Sequence, residues 1–214
     1  MSGDPTREGY DRVAGEYTSR MADELDHKPF DREQLSRLAE RLRGEGPVVD
    51  IGCGPGQIAA FLAARGVEAG GLDLSPEMIA QARALHPGLR FDVGDMRDTG
   101  LASESLAGLT AFYSIIHIPR DDVARVLGEL RRVLRPGGLL LLAFHLLEEG
   151  GEKVVHLDEW WDRDVSIDFV FFERAEMERY LAEAGFEILE ARERDPYPDV
   201  EAQTRRAYVL AARL

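Results

Sequence analysis

One stretch, Val48 to Gln57 (VVDIGCGPGQ), constrains this chain more than any other, and Asp73 completes it. Val48, Val49 and Ile51 form a short β-branched apolar run, the pattern of a strand buried on both faces. Gly52, Gly54 and Gly56 follow at once, and then Ile58, Phe61, Leu62 and Arg65 take up helical spacing. A strand that passes into a helix through glycines offers bare backbone N–H groups to a ligand, because no Cβ stands in the way. Gly71-Leu72-Asp73-Leu74 reads as a second strand ending in a carboxylate, which can accept both hydroxyls of a ribose. The stretch calls for an α/β chain organised around a nucleoside.

Glycine spacing narrows the ligand. The dinucleotide fingerprint G-x-G-x-x-G brings backbone close to a pyrophosphate. Here the spacing is G-x-G-x-G, Gln57 stands at the position of the third glycine, and Asp50 sits just before the turn. A carboxylate beside the loop repels a pyrophosphate and suits a ligand with a cationic end. S-adenosylmethionine carries an ammonium and a sulfonium and no phosphate. The residues VVDIGCGPG resemble the first motif of the class I S-adenosylmethionine-dependent methyltransferases, of the small-molecule type. Two other functions keep part of the pattern. An NAD-dependent oxidoreductase would use Asp73 but needs the other glycine spacing, and a protein that binds S-adenosylmethionine without methyl transfer would need nothing changed.

Composition limits the partners. With 40 acidic and 26 basic side chains in 214 residues the net charge is −14, which argues against nucleic acid or an anionic membrane surface as the main partner. Cys53 is the single cysteine, so no intramolecular disulfide and no cysteine-based metal site is expected. It lies inside the glycine loop and reads as a packing residue. No apolar run follows a basic head and none is long enough to span a bilayer, so the expectation is a soluble, cytoplasmic protein. The oligomeric state is left open.

In chain order, Met1 to Gly9 is polar and reads as a mobile terminus. Tyr10, Val13, Ala14 and Tyr17 recur at helical spacing, and a second helix with Leu35, Leu38 and Leu42 runs to Gly44. Strands at 48–51 and 68–73 alternate with helices at 57–65 and from Ser75, where Ser75-Pro76-Glu77 gives an N-cap, a first-turn proline and an acid at the positive helix end. A third strand ends at Gly94-Asp95-Met96, and a fourth from Leu106 runs into Tyr113 to Ile118. An amphipathic helix from Arg120 stops at Arg135-Pro136-Gly137-Gly138, and a fully apolar strand, Leu139 to Phe144, ends beside His145. Leu146 to Arg163 reads as acidic and irregular. A strand over 165–171, a helix over 173–184 and strands over 186–191 and 207–212 close the chain.

The resemblance covers roughly residue 10 to the end. It implies a Rossmann-like, seven-stranded, mostly parallel sheet with a C-terminal antiparallel hairpin strand and helices on both faces. It divides a single domain, 1–214, into an N-terminal helical lid (1–44), a cofactor-binding half (45–145) and an acceptor-side half (146–214). By resemblance, Asp50 and the Gly52, Cys53, Gly54 and Gly56 loop hold the amino-acid end of S-adenosylmethionine. Asp73 and Leu74 meet the ribose, Asp95 and Met96 the adenine, and Tyr113 flanks the methyl donor. Methyl transfer from a sulfonium needs alignment above all, and a base only where the nucleophile must lose a proton. His117, His145 and Tyr17 are the catalytic candidates, with Trp160 and Phe171 as further acceptor-side walls, and Tyr17 is favoured over Tyr10 to face the site. The acceptor expected is a small organic molecule; methylation on oxygen, nitrogen or carbon is open, with oxygen favoured, and no metal is expected.

Overall fold

A computed structural model describes residues 3–214; of the expected mobile terminus, Met1 and Ser2 lie outside the described residues. The rest of that terminus is ordered. Asp4 caps helix α1 (Pro5–Met21) by accepting from the Arg7 N–H at 3.2 Å, and Pro5 occupies the first turn. A 3-10 turn (Glu24–His27) leads to α2 (Pro29–Leu42). The αβ alternation follows: β1 (Val48–Ile51), α3 (Gln57–Ala63), β2 (Ala69–Asp73), α4 (Pro76–Leu85) and β3 (Arg90–Val93). Ser75 caps α4 as expected, its Oγ accepting from the Met78 N–H at 3.1 Å.

β4 (Leu106–Phe112), α5 (Arg120–Val133) and β5 (Leu134–His145) complete the parallel part. Helix α5 ends two residues earlier than Arg135-Pro136-Gly137-Gly138, which instead lies within β5 at a register shift between the Leu106–Leu134 and Gly108–Leu139 pairs with β4. The sheet order is β3-β2-β1-β4-β5-β9-β8, with β8 (Phe186–Arg194) and β9 (Arg206–Arg213) joined antiparallel and β9 antiparallel to β5. The chain builds outward from β1 in one direction and then restarts at β4 in the other. That reversal opens a crevice at the carboxyl ends of β1 and β4, where open α/β sheets bind ligands.

Helices cover both faces. On α5, Val123, Val126, Leu127, Leu130 and Val133 are buried against Leu109, Leu142 and Phe144 of the sheet, together with Met177 and Leu181 of α6 (Arg174–Glu183). On the other face Leu35, Leu38 and Leu42 of α2 pack with Leu62, Val48 and Leu141. Within 1–44, then, α2 belongs to the core, and only α1 and the 3-10 turn reach the crevice.

The segment read as irregular is the largest departure. Val154–Glu159 is a strand, β6, paired antiparallel with β7 (Asp164–Val170) in a hairpin separate from the main sheet. Its turn is closed by Trp160 N–H to Arg163 O at 2.9 Å and the reciprocal bond at 3.2 Å. Trp161 and Asp162 both take positive φ (52° and 60°), as a two-residue hairpin turn of the primed type requires. Asn-Gly or Asp-Gly is the usual signal for such a turn; Trp-Asp is not, so no local pattern in the sequence marks β6. The hairpin lies on α1 through Val165 and Ile167, which bury Val13.

Candidate functional site

A cavity opens at the carboxyl ends of β1, β2, β3 and β4, beneath α1. Its floor is the glycine loop. Gly54 has φ +51°, and the nearest atom to an added Cβ would be Tyr17 Cε1 at 3.8 Å, so a side chain there would enter the cavity. Gly56, also a candidate, does not line it. Gly56 begins α3 at φ +87°, and an added Cβ would fall 2.6 Å from Phe91, so its role is to let the loop pack. Gly52 and Cys53 do line the cavity; burial raises the Cys53 thiol well above its ordinary pKa, which suits a packing residue.

Two carboxylates line this floor, Asp50 buried and Asp73 half-buried. Asp50, at 2% exposure, accepts from Thr110 Oγ1 at 2.6 Å on Oδ1. Burial pushes it up to about 7, with Asp73 and Glu24 adding repulsion. Asp73 accepts the Gly54 N–H at 2.8 Å and the Ser75 N–H at 2.8 Å, one on each oxygen. Burial lifts it to about 6 in spite of those donors. Among the described lining residues the one lysine or arginine is Arg97, at the far end beside Asp95. A wall with two uncompensated carboxylates and a bare glycine backbone fits the amino-acid and ribose ends of S-adenosylmethionine and disfavours a pyrophosphate.

The adenine end departs from the simple expectation. Leu74, Asp95 and Met96 line the cavity, but Asp95 is already engaged by Arg97, through the backbone N–H at 2.8 Å and the guanidinium Nε at 2.9 and 3.0 Å. Burial alone would raise Asp95, yet these bonds hold it below the usual carboxylate range. Arg97 also donates to Asp4 at 2.9 Å, tying the first turn of α1 to the end of β3. A second tie runs from Asp11 to Ser75 Oγ at 2.6 Å, and Ser75 in turn donates to Asp73.

On the opposite wall, Tyr113 follows β4 at φ 54° with its hydroxyl 2.7 Å from Tyr208 Oη and 3.2 Å from Asp31. His117 lines the cavity, and its hydrogen bonds fix its tautomer. Nδ1 lies 2.9 Å from the Asp168 carbonyl, which can only accept, so Nδ1 carries the proton. Nε2 is therefore the acceptor, and Tyr10 Oη donates to it at 2.7 Å. Burial lowers His117 to about 4, so the ring is neutral at pH 7. Tyr10 and Tyr17 both line the cavity, and Trp160 packs behind them with ring centroids 5.8 and 5.9 Å away.

His145 does not line the cavity. Its Nδ1 bonds Thr204 Oγ1 at 2.7 Å, its ring stacks on Tyr113 at 5.3 Å, and Phe171 tilts against its other side at 5.6 Å. Burial lowers it to about 3. Its place is behind Tyr113. Of the charged lining residues, Asp4, Glu24 and Arg97 are not among the sequence candidates. Arg97 directly follows Asp95-Met96 and could have been suspected; Glu24 sits in a short polar turn that reads as surface.

The comparisons agree with this geometry. Residues 48–138 match the family model described as a methyltransferase domain. A malonyl-[acyl-carrier protein] O-methyltransferase of Pectobacterium atrosepticum is 36% identical over 117 residues, 54% of this chain and 44% of that protein. A magnesium-protoporphyrin O-methyltransferase of Rhodobacter capsulatus is 41% identical over 101 residues, 45% of this chain and 44% of that protein. The chain thus spans less than half the length of these relatives. A solved SAM-dependent methyltransferase of Methanosarcina mazei superposes with a TM-score of 0.70 over 78% of this chain and 92% of its own, at 21% identity. Residues 48–138 are thus similar to a methyltransferase domain, and the chain shares its fold with a solved S-adenosylmethionine-dependent methyltransferase.

Proposed function

We propose that the chain binds S-adenosylmethionine in this cavity and catalyses methyl transfer to a small organic acceptor, with oxygen as the favoured nucleophile. The observation that carries the reading is the pair of carboxylates, buried Asp50 and half-buried Asp73, lining the cavity beside the bare backbone of Gly54, with Arg97 as the one lysine or arginine among the described lining residues. When bound, the donor supplies a methyl group activated by a sulfonium. Asp50 with the backbone of Gly52 and Gly54 takes the amino-acid end, Asp73 beside Leu74 takes the ribose hydroxyls, and Asp95 with Met96 borders the adenine. Because Arg97 occupies Asp95, the backbone of Met96 carries more of the adenine recognition than the carboxylate does.

His117 is the base of this scheme. A neutral imidazole with Nε2 as its free-pair nitrogen can take a proton from an acceptor hydroxyl through the Tyr10 hydroxyl, which passes its own proton to Nε2 as it receives the acceptor's. Tyr10, Tyr17 and Tyr113 make the acceptor side largely aromatic, which favours a partly apolar acceptor, whereas Trp160 and Phe171, expected as walls, lie outside the lining. His145 acts by supporting Tyr113. Helix α1 acts as the lid.

The test is incubation with S-adenosylmethionine and a panel of small phenols, carboxylic acids and amines, followed by mass spectrometry. Methylated phenols or acids with matching S-adenosylhomocysteine formation are expected. Tight S-adenosylhomocysteine binding with no methylated product from any class would instead favour binding without catalysis.

A further inference from the structure

The methionine end of the cavity holds one more carboxylate than the proposed scheme uses. Glu24 lies in the 3-10 turn between α1 and α2 and lines the cavity with Asp50 and Gln57. Its side chain is 14% exposed, and it is held in place from two sides: Gln57 Nε2 donates to Oε1 at 2.9 Å and Lys28 Nζ to Oε2 at 2.5 Å. Lys28 is itself backed by Glu201 at 3.6 Å, from the connection between β8 and β9.

Acceptors outnumber donors here. Asp50 takes its bond from Thr110 on Oδ1, and among the described residues no donor reaches Oδ2. Gln57 Oε1 is buried without a partner. Glu24 keeps unused lone pairs on both oxygens, since a carboxylate accepts about four hydrogen bonds. Buried acceptors left unpaired are costly, so a ligand that fits this corner must be a compact cation with several N–H donors. Among the described residues no group of three or more His, Cys, Asp or Glu side chains is arranged to hold a metal. A primary ammonium, with three donors on one atom, meets the requirement.

We propose that Glu24 is a donor-binding residue that shares the α-ammonium of the methionine moiety with Asp50, making the turn Glu24–His27 a wall of the site. This rests on the S-adenosylmethionine reading above. It also gives the buried Lys28–Glu201 contact a purpose, since that contact holds Glu24 at the cavity.

Calorimetry on the full chain tests it with two ligands: S-adenosylhomocysteine, and the same molecule with hydrogen in place of its amino group. Glu24→Gln is expected to weaken S-adenosylhomocysteine by about tenfold or more, the scale of one charge-assisted hydrogen bond, and to leave the deaminated ligand unchanged. Equal loss for both ligands, or no loss for either, overturns the proposal and leaves Glu24 as a partner of Lys28 alone. If Glu24→Gln does not fold, the double change Glu24→Gln with Lys28→Met removes the pair together and carries the same expectation. Should the unaltered protein bind neither ligand, it is the cofactor reading that fails.

Discussion

The two sides of the cavity are built on different principles. The donor side is made of strand ends and a glycine loop, where Asp50 and Asp73 are fixed by the sheet and by backbone N–H groups. The acceptor side is made of α1, the β6–β7 hairpin and the residues after β4, where aromatic rings pack edge to face around Tyr10 and His117. A donor of fixed chemistry needs polar atoms at fixed points, and rigid elements supply them. An acceptor pocket needs shape, which a helix and a hairpin can vary without disturbing the sheet.

If that division is right, damage to one side should leave the other intact. The largest effect is expected from Asp73→Ala, which should weaken S-adenosylhomocysteine by more than tenfold through loss of charge-assisted hydrogen bonds to the ribose. Unchanged affinity in calorimetry would show that the ribose sits elsewhere. Acidification should act on the same side. Asp50 and Asp73 have pKa values raised to about 7 and about 6, so the free protein holds protons there that it must release to receive cationic and hydroxyl donors. Affinity is therefore full at about pH 8 and falls as pH drops through these values, by roughly tenfold or more at pH 5. Titrations in buffers of different ionisation enthalpy should register the released protons; a flat profile would mean that the carboxylates do not meet the ligand.

Changes on the acceptor side should spare the donor. Tyr10→Phe and His117→Ala should each lower turnover of a phenol acceptor by about 10²-fold, the lower range for a positioned base, with S-adenosylhomocysteine affinity nearly unchanged. Because the two groups act through one hydrogen bond, the double variant should lose little more than either single one. Additive losses would separate them. The smallest effect concerns the hairpin alone. Asp162→Gly relieves a side chain at φ 60° and should stabilise the fold by roughly 0.5–1 kcal/mol in denaturant unfolding, without altering donor affinity.

What the sequence disclosed follows the same division. Asp50, Gly54 and Asp73 were legible because a strand-to-helix turn at glycine and a carboxylate at the next strand end form a local pattern with one physical purpose. The Ser75 cap and the buried face of α5 were legible for the same reason. The acceptor side was not, because its contacts join distant segments. Tyr10 meets His117 across 107 positions, and Glu24 meets Gln57 across 33. Helical spacing puts Tyr10 and Tyr17 on one face and both line the cavity, but only the position of His117 gives Tyr10 its hydrogen bond. His145 looked equivalent to His117, each being at a strand's carboxyl end. The stacking of its ring behind Tyr113 is a matter of depth that no local pattern records.

The most direct test of the central claim is calorimetry of the unaltered protein with S-adenosylhomocysteine and with NAD. The carboxylate-flanked glycine loop predicts micromolar binding of the first and none of the second. Binding of NAD in place of S-adenosylhomocysteine would contradict it, since a pyrophosphate would then be sitting beside Asp50.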